Sequence, residues 1–79
     1  MKVKEGFWII EYKNTLILTK IYKYGDKYWG DDIRILNGGP EPITKDWAVE
    51  GIMLSDGLRL VLHSETIQGL EEKVPQYFV

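Results

Sequence analysis

Trp47-Ala48-Val49-Glu50-Gly51-Ile52-Met53-Leu54-Ser55-Asp56-Gly57-Leu58-Arg59-Leu60-Val61-Leu62-His63 contains the strongest turn signal in the chain, Asp56-Gly57. Asp-Gly is a favoured pair for the two-residue turn of a β-hairpin, because both central residues need positive φ. The expectation is therefore a hairpin, with residues 47–54 and 58–63 as its two strands. In that register Met53 faces Leu60 and Ile52 faces Val61. Side chains alternate along a strand, so Val49, Met53, Leu58, Leu60 and Leu62 collect on a core face. The opposite face collects Glu50, Ile52, Leu54, Arg59, Val61 and His63, with Glu50 paired to His63.

Working outward, the rest of the chain reads as further short strands separated by turns. Phe7-Trp8-Ile9-Ile10-Glu11-Tyr12 and the run from Thr15 to Tyr24 flank Lys13-Asn14. Asn tolerates the left-handed conformation of a tight turn, so these two runs form a hairpin. Under that turn Trp8, Ile10, Tyr12, Ile17 and Ile21 share one face, and Phe7, Ile9, Leu16, Leu18 and Tyr22 share the other. Gly25-Asp26-Lys27 supplies a second turn. A bend or bulge at Trp29-Gly30-Asp31-Asp32 then leads into a short strand, Ile33-Arg34-Ile35-Leu36. Asn37-Gly38-Gly39-Pro40-Glu41-Pro42 reads as an exposed loop ending near Ile43. After His63, the spacing of Ile67, Leu70 and Val74 predicts a short helix capped by Ser64 and stopped by Pro75. Gly69 within it costs about 1 kcal/mol relative to Ala. The tail Gln76-Tyr77-Phe78-Val79 is expected to add an edge strand.

Both faces of the first hairpin are apolar, whereas a lone antiparallel sheet normally leaves one face polar. The fold class is accordingly all-β or mainly β: one domain over residues 1–79, a small hairpin-built antiparallel barrel or sandwich of SH3-like size, with a short C-terminal helix. Burial of the second face falls to the closed sheet, the C-terminal segment or a second copy of the chain.

Composition narrows the function classes. The chain has 79 residues, no cysteine and a single histidine, His63, which excludes disulfides and the usual structural zinc site. The formal net charge is −2, so no overall field draws the molecule to nucleic acid. Lysines nevertheless concentrate before Trp29, and nine of the twelve acids follow it. No apolar run approaches the roughly 20 residues of a membrane span. A cytoplasmic location fits the absence of cysteine.

No catalytic set emerges. His63 has no nucleophile at a suggestive spacing. Asp31 and Asp32 are adjacent, so on a strand their carboxylates point to opposite faces. They read as solvated turn acids. Asn37-Gly38-Gly39-Pro40 lacks the lysine and following helix of a phosphate loop. No cofactor, metal or catalytic residue is expected.

Aromatic residues are the informative feature. Tyr22, Tyr24, Tyr28 and Trp29 surround the Gly25 turn, with Lys20, Lys23 and Lys27 interleaved, and binding residues collect beside turns. With Arg34 and Arg59 they form the expected binding set. Ile52, Leu54, Val61, Tyr77 and Phe78 form the expected interface set. Together these point to a non-catalytic module acting by protein–protein contact, with an unidentified partner protein and with itself as a homodimer or higher oligomer. A compact chain of this kind suits a small accessory or inhibitory protein of viral type. The alternative is a nucleotide or other small ligand stacked in an aromatic pocket at a subunit interface. A second alternative is single-stranded nucleic-acid binding through the lysine-rich first half, against which the acidic pI of about 5.3 counts.

Overall fold

The computed structural model describes residues 2–39 and 45–78. The chain runs β1 (Gly6–Tyr12), β2 (Thr15–Tyr24), β3 (Lys27–Asn37), β4 (Trp47–Ala48), α1 (Val49–Asp56), β5 (Arg59–Ser64), α2 (Ile67–Lys73) and a final 3-10 turn (Pro75–Phe78). The protein is mainly β. Its strands form one antiparallel sheet in the order β4-β3-β2-β1-β5, with β4 and β5 at opposite ends. No helix among the described residues is long and apolar enough to cross a membrane.

The first hairpin folds as its residues dictate. Lys13 and Asn14 both take positive φ, 49° and 63°, and β1 pairs with β2 from Tyr12↔Thr15 outward. Trp8, Ile10, Tyr12, Ile17 and Ile21 are buried together on one face. Ile9 and Leu18 are buried on the other, with Phe7 and Leu16 beside them. Each face has its own cover. Trp47, Val49, Ile52, Met53 and Leu58 close the first; Ile67, Leu70, Val74, Tyr77 and Phe78 close the second. Of the covers expected for the second face, the C-terminal segment is the one found, while Ile33 and Ile35 of β3 remain exposed.

The Asp56-Gly57 hairpin does not form. Residues Val49–Asp56 are an α-helix, and Gly57 ends it in the left-handed conformation, φ 69° and ψ 27°. The same dihedral preference that makes Asp-Gly a hairpin turn makes glycine a helix terminator. The tertiary packing of the preceding run decides between the two. Val49, Ile52 and Met53 recur at i, i+3 and i+4 and pack on the core, while Glu50, Gly51 and Leu54 face outward. The Ser55 hydroxyl donates to the Gly51 carbonyl at 2.9 Å, one helical turn back.

Released from that pairing, β5 pairs with β1 instead. Leu60 lies opposite Ile10 and Leu62 opposite Ile9, with the register shift falling at Val61. This bulge reverses the alternation, so Leu60 packs with the first core and Leu62 with the second. The expected common face of Leu58, Leu60 and Leu62 is corrected accordingly. His63 does not meet Glu50. Its ring rests on Trp8, centroids 4.8 Å apart, and its Nε2 is 2.9 Å from the Glu5 carbonyl.

Two smaller corrections concern the C-terminal segment. Thr66, not Ser64, caps α2: its hydroxyl accepts the Gly69 amide at 2.9 Å. The predicted edge strand at the tail is a 3-10 turn, which turns Tyr77 and Phe78 onto the second core. Proline fixes φ near a helical value and has no amide to offer a sheet, which suits Pro75 to begin such a turn. The expected loop beyond Gly39 lies outside the described residues.

Candidate functional site

The end of the sheet at the Gly25 turn carries an aromatic cleft. Tyr22 and Trp29 are directly paired across β2 and β3, so their side chains stand on the same face, and Tyr24 lies two residues further along. That face is the second one, beyond the end of the α2 cover. Tyr24 is 78% exposed, which leaves the cleft open at its outer rim. With Asp46, the three rings enclose about 280 Å³.

Asp46 reaches this position through β4. Trp47 pairs with Gly30 and Ala48 with Trp29, which brings the chain back along the outer edge of β3. Gly30 permits the approach: a Cβ there would sit 2.4 Å from two carbons of the Trp47 indole. Asp31 and Asp32 hold the returning chain from both sides of the strand. The Asp31 carboxylate accepts the Asp46 amide at 2.8 Å, and the Asp32 carboxylate accepts the Trp47 indole N–H at 3.0 Å. These two acids are strand residues tied into the fold, not solvated turn residues. Their opposite orientation is as the adjacent spacing requires.

The Tyr22 hydroxyl donates a short hydrogen bond to Asp46 Oδ1. That bond, then burial, then the negative charges of Asp31 and Asp46 push the phenol up to about 12 from its ordinary 10.0. All four influences favour the neutral phenol, so the hydroxyl stays a donor and Asp46 stays fixed. Asp46 itself has φ 54°, a left-handed value that few residues accept, and its two hydrogen bonds keep it there. Trp29 adds a group with an unmet need. Its Nε1 is shielded from solvent and has no hydrogen-bond partner among the described residues.

Of the six expected binding residues, the fold brings Tyr22, Tyr24 and Trp29 together. Tyr28 is paired with Lys23 and points to the opposite face, where it packs on the first core with the Lys23 ammonium 5.8 Å from its ring. Arg34 shares the cleft's side of the sheet but lies nearer the Lys13-Asn14 end, 5.8 Å over the ring of Phe78. Arg59 sits on the far edge strand and pairs with Glu11 at 2.8 Å. The expected interface set is also divided. Ile52 is half-buried on the first core and Leu54 is 90% exposed beside it, whereas Val61, Tyr77 and Phe78 pack on the second core. Asp46 was not anticipated from the sequence. Sixteen positions separate it from Gly30, and only the pairing of Trp47 with that glycine, invisible in local spacing, places it.

No protein-family model, curated protein or solved structure matches the chain. What the cleft does has to be read from its own residues.

Proposed function

We propose that the protein is a non-catalytic binding module that works by protein–protein contact through the Tyr22–Tyr24–Trp29 cleft. The observation that carries this reading is the cleft itself: exposed aromatic surface gathered at one end of the sheet beside a carboxylate held by Tyr22 and Asp31. Aromatic anchors in a pocket are what protein interfaces concentrate their energy on. A volume of about 280 Å³ falls just under the usual range for small-molecule pockets and suits one inserted side chain.

The lining disfavours a nucleotide. Its ionic group is a carboxylate, which repels phosphate, and of the three lysines interleaved with the aromatics only Lys27 stands at the rim, across from Tyr24. Lys20 lies 5.9 Å over Phe7, and Lys23 is on the other face with Tyr28. A thermal-shift screen checks the point, since a nucleotide at 100 times its Kd stabilises by about 2.7 kcal/mol. Self-association is a separate reading: segments of the chain cover much of both sheet faces, while Ile33, Ile35 and Leu54 stay exposed.

Selection of displayed random peptides on the immobilised protein tests the proposal. The expected result is a set of enriched peptides whose binding is lost on Tyr24→Ala, a substitution at an exposed position that leaves the fold intact. Enrichment that is indifferent to Tyr24→Ala and Trp29→Ala would sink it.

A further inference from the structure

We infer that the cleft takes an arginine side chain presented by a partner protein, a conclusion that rests on the binding-module reading above and narrows it. Three aromatic rings and one carboxylate line the site among the described residues. Ring faces are electron-rich and attract cations, and a carboxylate beside them adds a directed ionic partner. Both features ask for positive charge.

The carboxylate is prepared for this. The Asp31–Asp46 amide contact and the Tyr22 hydroxyl fix Asp46 before any ligand arrives, so little ordering is left to the moment of binding. A carboxylate offers about four acceptor positions, and one hydrogen bond from Tyr22 leaves capacity for a fork of donors. The local charge has the right sign, since the Asp31 and Asp46 carboxylates stand together beside the Tyr22 hydroxyl.

Among the described residues, none of the chain's cations lines the cleft. Lys20 lies against Phe7, Lys27 stands across from Tyr24 on the rim and Lys45 precedes Asp46 in the chain. These flanking charges weaken attraction for a diffuse positive surface and favour a flat cation that stacks on the rings while meeting the Asp46 carboxylate. Arginine does so better than lysine. Its guanidinium is planar, stacks on aromatic faces, is weakly hydrated and bonds a carboxylate with two parallel donors.

The test is an NMR titration of ¹⁵N-labelled protein with N-acetyl-arginine amide, its neutral isostere N-acetyl-citrulline amide, N-acetyl-lysine amide and AMP. The expected result is saturable shifts of the Trp29 indole and Asp46 amide resonances with the arginine probe. Citrulline should bind about tenfold more weakly than arginine, a difference of the size one ionic contact makes. Asp46→Asn should abolish the preference for arginine over citrulline, and Tyr24→Ala, which leaves the Asp46 contacts in place, should weaken both probes. Equal binding of citrulline overturns the charge selection but leaves the cleft as a binding site. Binding of AMP in place of arginine, or no shift with any probe, overturns the inference. Enriched peptides that depend on Tyr24 yet lack arginine would sink this inference alone; peptides indifferent to Tyr24 would sink the underlying reading.

Discussion

Lys13-Asn14 and Asp56-Gly57 carry the same local instruction and end as different structures. Each supplies positive φ between two apolar runs: 49° and 63° at the first, 69° at Gly57 in the second. The first closes a hairpin, and the second terminates a helix. The runs around Lys13-Asn14 carry β-branched and aromatic residues on both faces, a pattern that a sheet with cover on both sides satisfies. The run before Asp56 has apolar residues at Val49, Ile52 and Met53, which strand alternation scatters and a helix gathers. A turn dipeptide therefore fixes a dihedral, and the packing of its neighbours fixes the element.

The comparison predicts unequal costs on the two sides. Ile17 is fully buried in the first hairpin, so Ile17→Ala should destabilise by about 2–5 kcal/mol in chemical denaturation. Met53 is only half-buried on α1, and Met53→Ala should fall below that range. Equal losses would mean that α1 is as tightly held as the hairpin, against the partial burial of its core face.

Next in size is the β4 junction, on which the cleft depends. Gly30→Ala forces the Trp47 ring to move and should cost about 1–3 kcal/mol, the usual range for overpacking. It should also shift the Asp46 amide resonance, because β4 carries that residue. A substitution that leaves the Asp46 amide where it was would show that the Trp47–Gly30 pairing does not place the carboxylate.

Gly57→Ala separates conformation from packing, since nothing lies within 4 Å of a Cβ placed there. The expected loss is about 1–2 kcal/mol, the penalty for a left-handed non-glycine residue. The smallest effect belongs to Leu54, which is 90% exposed on α1. Leu54→Lys should change stability by less than about 0.5 kcal/mol. Sedimentation of the same variant tests self-association: a dimer of the parent chain that dissociates on Leu54→Lys would place the contact at the exposed face of α1.

Much of the sheet was legible because its causes are local. Lys13-Asn14 and the alternation in Phe7-Trp8-Ile9-Ile10 state both the turn and the two faces, and the spacing of Ile67, Leu70 and Val74 states α2. The pairing of β5 with β1 was not legible, since the bulge at Val61 that lets Leu60 and Leu62 serve opposite cores depends on the partner strand. The same limit applied to the cleft. Tyr22, Tyr24 and Trp29 stand near one another in sequence beside the Gly25 turn and were found there. Asp46 arrives through a tertiary contact with Gly30, and Tyr28 leaves because alternation turns it to the other face.

The account turns on Asp46 standing against the Tyr22 hydroxyl, for the floor of the cleft and its charge both follow from that contact. Tyrosine titration by ¹³Cζ NMR measures it directly. A phenol raised in the folded state contributes stability that is present below pH 10 and is lost as pH climbs through the folded value. Tyr22 should titrate at about 12, and Asp46→Asn should bring it back toward the ordinary 10.0. A Tyr22 that ionises near 10 in the parent protein, unchanged by Asp46→Asn, would contradict the account.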